Sequence, residues 1–123
     1  MTNPPGLVTQ DYPNDSDGDA LRRLAADGND MASPMVIEFP VVVSTEILAE
    51  RFARIARERG FTANLWKHED GADWDVVCSI GMVPTYADVV RTQQQLNDLS
   101  EPFGGYSDGW GTFGNKPDEQ PSD

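Results

Sequence analysis

The run from Met35 to Val43 is almost wholly apolar and rich in β-branched residues (Val36, Ile37, Val41, Val42, Val43, with Phe39 among them). Such a segment suits a strand buried on one face and partly covered on the other. Pro40 interrupts it. Proline cannot donate to a ladder, so it marks a bulge, an edge or the strand's end. The hydrophobic period then changes. Ser44 or Thr45 caps a helix that runs to Arg59, with Leu48, Phe52 and Ile55 on one stripe and Ala49, Ala53 and Ala56 beside them. Gly60 closes it.

The period of two returns at Phe61, Ala63 and Leu65, set against Thr62, Asn64 and Trp66. After a turn over residues 68–73, Trp74, Val76, Cys78, Ile80 and Met82 form one face of a further strand, with Asp73, Asp75 and Ser79 on the other. The two runs read as an antiparallel hairpin. Thr85 and Asp88 form a capping box behind Pro84 and open another helix, with Tyr86, Val89, Gln93, Leu96 and Leu99 as its inner stripe. Pro102 ends it, and a last strand follows. Ahead of all this, Asp17 or Asp19 caps a short helix carrying Leu21, Leu24 and Ala25. The order is a helix, then βαββαβ. That pattern predicts an α+β, ferredoxin-like sandwich: a four-stranded antiparallel sheet with two helices on one face, plus the short N-terminal helix. The expected organisation is a disordered lead over residues 1–16, one domain over 17–113 and a disordered acidic tail over 114–123.

The formal net charge is −12. Nucleic-acid binding rests on neutralising phosphates with Lys and Arg, so direct nucleic-acid partners are not expected, nor are anionic membranes. Basic protein partners are. The four arginines of the helix ending at Arg59 are balanced by Glu38, Glu46, Glu50 and Glu58. No charged region followed by an apolar one opens the chain, and no apolar run approaches the length of a spanning helix, so a cytoplasmic protein is expected.

Catalytic chemistry finds little material. His68 is the sole histidine and sits in a charged turn; Cys78 is the sole cysteine and sits in a strand. Neither metal nor cofactor is expected from them. Asp15-Ser16-Asp17-Gly18-Asp19 has the oxygen spacing that starts a calcium loop, but Ala20 stands where the sharp turn needs glycine and Ala26 where a bidentate Glu belongs. Asp73 and Asp75 could do acid–base work only in a cleft that raised one pKa; a solvated sheet edge is the commoner setting. The chain is therefore read as a binding protein, not an enzyme.

The densest sequence signal is Gly104-Gly105-Tyr106-Ser107-Asp108-Gly109-Trp110-Gly111-Thr112. One reading makes it a final strand with Tyr106 and Trp110 as core plugs and Gly109 as a bulge. The other turns Asp108 and Trp110 toward a partner. Candidate partner-binding residues are Asp108, Trp110 and Tyr106 from this stretch, with Trp66 and Thr62 from the open sheet face. A homodimer through that face is a further expectation.

Several motifs carry a resemblance: Asp17-Gly18-Asp19 with Leu21, Leu24 and Gly28-Asn29-Asp30; Arg59-Gly60-Phe61; Met82-Val83-Pro84; and Ser107-Asp108-Gly109-Trp110-Gly111-Thr112. With these the chain resembles the regulator of ribonuclease E activity B (RraB) family, the ribonuclease E inhibitor domain, over about residues 17–113. The family usually shows Tyr-Asp-Gly-Trp in the last motif, whereas here Ser107 holds the Tyr position and Tyr106 stands one residue earlier. The resemblance implies a ferredoxin-like fold and a cytoplasmic, non-catalytic protein that binds ribonuclease E and restrains RNA decay. An acidic binding or immunity-type module with another partner is the alternative.

Overall fold

Local chemistry sets the helix ends. In the computed structural model, which describes residues 12–69 and 71–116, the first helix, α1 (Ser16–Ala26), is capped by Asp15, whose carboxylate accepts from Gly18 N–H at 2.8 Å. The cap thus lies two residues before the earlier of the two expected ones. Asp17 and Asp19 fall inside the first turn, where the helix dipole favours acids. Thr45 caps α2 (Glu46–Glu58) by accepting from Leu48 N–H, and Thr85 caps α3 (Tyr86–Ser100) by accepting from Asp88 N–H. The lead before residue 12 and the tail after residue 116 lie outside the described residues.

Between the helices run β1 (Met35–Val43), β2 (Thr62–Lys67), β3 (Trp74–Met82) and two short pieces, β4 (Tyr106–Ser107) and β5 (Gly111–Thr112). The sheet is antiparallel in the order β2-β3-β1-β4, with β5 also on β1. This is the expected α+β, ferredoxin-like order. β1 is central and pairs with β3 along its whole length, from Met35 opposite Met82 to Val43 opposite Trp74. Odd residues of β1 and even residues of β3 point to the helices. There Ile37, Phe39, Val41, Val76 and Cys78 are wholly buried with Phe52 of α2 and with Val89 and Leu96 of α3. Burial of each large side chain contributes roughly 1.5–3 kcal/mol. Phe52 also meets Phe103, in the 3-10 turn after α3, edge to face, with ring centroids 6.2 Å apart.

One last strand was expected, and two pieces are found. Val42 and Val41 pair with Tyr106 and Ser107, while Glu38 and Ile37 pair with Gly111 and Thr112. Four steps along the last strand thus match three along β1: one residue is extra, a β-bulge. Gly109, at φ +84°, supplies the left-handed backbone the bulge needs. The bulge also explains how Pro40 is tolerated in a central strand. Asp108 N–H donates to the Pro40 carbonyl at 2.9 Å, and the return bond of a normal pair would need the N–H that proline lacks. The ladder breaks where the donor is missing.

Candidate interaction surface

The bulge reverses the alternation of the last strand and sorts its side chains to opposite faces. Tyr106, beside Val42, points to the sheet face away from the helices, and Asp108 follows it two residues on. Past Gly109 the parity changes, and Trp110 turns toward the helices. It packs against the core, and its indole Nε1–H donates to Asp17 Oδ1 of α1 at 2.8 Å. Gln93 Nε2 of α3 donates to the same oxygen at 3.2 Å. Tyr86 Oη donates to Asp15 Oδ2 at 2.6 Å, which holds the Asp15 carboxyl below its usual range and raises the phenol. Asp19 pairs with Arg22. The three acids of the calcium-like segment therefore serve three separate tasks, as a helix cap, an indole acceptor and an ion-pair partner. Gly18 is held close: a Cβ there would run into the Pro13 carbonyl. Among the described residues no three His, Cys, Asp or Glu side chains converge as metal ligands would.

A second fastening joins the same two ends of the chain. Asn115 N–H donates to Asn29 Oδ1 at 2.8 Å, Asp30 N–H donates to Asn115 Oδ1 at 2.9 Å, and Asn115 Nδ2 donates to the Asp30 carbonyl at 2.9 Å. Asn29 Nδ2 in turn donates to the Leu24 carbonyl at the end of α1. The motifs around Asp17, Asn29 and Trp110 thus build a clasp that fixes α1 against α3 and the last strand. Asn115 had no signal in the sequence reading, and nothing local marks a contact across that separation.

The face away from the helices is uncovered among the described residues. Strand register lays one row across it: Trp66, Asp75, Val42, Tyr106. Trp66 is 63% exposed and Tyr106 53%, while Val42 between them is only 3% exposed and forms the floor. The two aromatics stand three strand spacings apart, about 14 Å. A parallel row runs Asn64, Val77, Pro40, Asp108, and the next runs Thr62, Ser79, Glu38, Gly111. Of the expected site residues, Trp66, Thr62, Tyr106 and Asp108 share this face, and Trp110 stands apart on the helix side. Alternation had set Asp75 opposite the apolar row of its strand, but neither it nor Glu38 nor His68 was counted among the partner-binding residues; the parity of β1 and β3 was the available signal for Glu38 and Asp75.

Charge on this face is one-sided. Asp75, Asp108 and Glu38 lie on it, whereas all seven arginines lie on the helical layer: two on α1, four on α2 and its C-cap, and one on α3. His68, just past β2, donates from Nε2 to Asp75 Oδ1 at 2.8 Å. That hydrogen bond, with the fields of Asp75, Asp73 and Asp108, holds the imidazole pKa above its ordinary value. On the opposite face, burial pushes the Cys78 thiol up to about 12, which leaves it inert.

Fold and surface together define a class: a small ferredoxin-like α+β domain with an open sheet that presents aromatics and carboxylates. The family described as regulator of ribonuclease activity B (RraB) matches residues 14–112, and the chain belongs to that family. Comparison with curated proteins gives no match. No described helix is long and apolar enough to cross a membrane.

Proposed function

We propose that this chain is a non-catalytic cytoplasmic regulator that restrains ribonuclease E-type RNA decay by binding the nuclease directly. Family membership over residues 14–112 is the observation that carries this reading. The charge of the chain supports it in sign, because a protein of net charge −12 is drawn to the basic surfaces a nuclease uses on RNA and repelled by the RNA itself. The described residues support it too. The one histidine is engaged by Asp75 at the sheet's outer face, and the one cysteine is sealed in the core, so these two side chains do not stand together as nucleophile and base.

The test is purified ribonuclease E with this protein at low salt, read both as complex formation and as cleavage of a labelled RNA. The expected result is a complex that slows cleavage and weakens as salt rises. Absence of a complex at low salt, or cleavage unchanged at saturating protein, overturns the reading.

A further inference from the structure

The uncovered sheet face has a chemistry more specific than a negative surface. It holds two aromatic–carboxylate pairs. Trp66 and Asp75 are direct cross-strand neighbours, with Cβ atoms about 5 Å apart, and Tyr106 and Asp108 are two residues apart on the last strand before the bulge reverses its parity. An exposed aromatic plane beside a carboxylate suits a planar cation. Guanidinium stacks on the ring and hydrogen-bonds the carboxylate, at Asp75 through Oδ2 because Oδ1 accepts from His68, whereas an ammonium does neither as well. We propose that this face binds an arginine-bearing basic segment of a protein partner, with guanidinium groups seated on Trp66 with Asp75 and on Tyr106 with Asp108.

The other occupants fit less well. A nucleic-acid backbone would set phosphates against Asp75, Asp108 and Glu38. A second copy meeting the same face across a two-fold axis would set those carboxylates against themselves, with no Arg on the face to offset them. Charge complementarity therefore selects a basic protein segment. The partner's identity as ribonuclease E rests on the function proposed above; the recognition chemistry does not.

The experiment titrates the full chain with two synthetic twelve-residue peptides, one alternating Arg and Ser and the other Lys and Ser, by calorimetry at low salt. Amide shifts in NMR locate the site. The variants are Trp66→Ala, Tyr106→Ala, Asp75→Asn and Asp108→Asn, with Glu50→Gln on the exposed side of α2 as the control, and melting curves verify that each is folded. The Arg peptide is expected to bind at least about fivefold tighter than the Lys peptide. Each sheet-face variant should weaken it by roughly three- to tenfold, and Glu50→Gln should leave it unchanged. Equal binding of the two peptides, or losses no larger than that of Glu50→Gln, overturns the proposal. So does self-association of the wild type that the same four substitutions abolish, since a second copy would then be the occupant. The same proteins against intact ribonuclease E separate the two readings. Equal binding by wild type and variants refutes this face and leaves the regulator. Loss of peptide binding in the variants, with ribonuclease E bound by none of the proteins, refutes the nuclease partner and leaves the face.

Discussion

Trp110→Phe tests whether the most distinctive aromatic of the chain fastens the fold or meets a partner. The substitution removes the Nε1–H that donates to Asp17 Oδ1 at 2.8 Å and keeps a ring against the core. A hydrogen bond to a charged acceptor contributes about 1.5–3 kcal/mol. Asp17 keeps Gln93 on the same oxygen and is half-buried, so the low end, about 1.5 kcal/mol, applies. Loss of the five-membered ring from a half-buried indole adds about 0.5 kcal/mol. A total near 2 kcal/mol lowers the melting temperature of a domain this size by roughly 8–12 °C. Urea unfolding followed by far-ultraviolet circular dichroism measures the change without relying on tryptophan emission. A double-mutant cycle with Asp17→Ala, which removes the acceptor, should give a coupling of about 1 kcal/mol. Hydrogen exchange adds a spatial signature: amides of α1 should lose protection in Trp110→Phe while the β1–β3 ladder keeps most of its own. A loss under about 0.5 kcal/mol would refute the clasp. So would a coupling near zero, or a collapse of binding to ribonuclease E with stability intact.

Three further outcomes follow from named groups. The Ser107 hydroxyl is buried without a hydrogen-bond partner, so Ser107→Ala should leave stability unchanged or raise it by about 0.5–1 kcal/mol in urea unfolding; a loss above about 1 kcal/mol would mean the hydroxyl is satisfied. Cys78 is wholly buried with its thiol pushed up to about 12, so a disulfide reagent at neutral pH should label it only as the domain unfolds, and prompt labelling of the native protein would contradict its placement. His68 should titrate above its ordinary value in NMR and fall back in Asp75→Asn. Because its folded pKa is raised, the stability it contributes is complete below the unfolded value and is lost as pH rises through the folded one; a His68 pKa unmoved by Asp75→Asn refutes the pairing. The same proton bears on binding. Protonated His68, faced by Asp75, Asp73 and Asp108, occupies the carboxylate that a guanidinium would use, so affinity for the Arg peptide should fall as pH drops through that window.

Much of the fold was legible because the local rules agreed with one another. Thr45 and Thr85 cap as their positions suggest, and the alternation of β2 and β3 survives intact into the hairpin. What escaped was carried by contacts between distant residues. Asp15 caps α1, and Asp17, inside its first turn, instead accepts from Trp110, whose indole arrives from 93 residues further along the chain. The direction of Trp110 was not legible either. Side-chain parity can be counted along an unbroken strand, but a bulge inserts an uncounted residue, and a glycine can mark a bulge without saying which neighbours it turns. The open face was only half legible for the same reason. Trp66 and Thr62 follow from simple alternation, while Tyr106 and Asp108 reach that face only through the register of β4 on β1.

That register gives meaning to the displaced tyrosine. At position 107, opposite Val41, a side chain faces the helices, and here the small hydroxyl of Ser107 occupies that place. At position 106, opposite Val42, a side chain faces outward, so the aromatic ring stands over the uncovered sheet in line with Asp75 and Trp66. A shift of one residue in sequence is thus a change of face in the fold. The core side of the last strand keeps its aromatic anchor in Trp110, beyond the bulge, and does not need a second one from position 107. The strand therefore serves both layers. Before Gly109 it furnishes the outer surface with Tyr106 and Asp108, and after it the strand ties the helical layer together through Trp110 and Asp17. Substitutions at Tyr106 and Asp108 are therefore expected to act on the proposed recognition and those at Trp110 on stability, although only a few residues separate them.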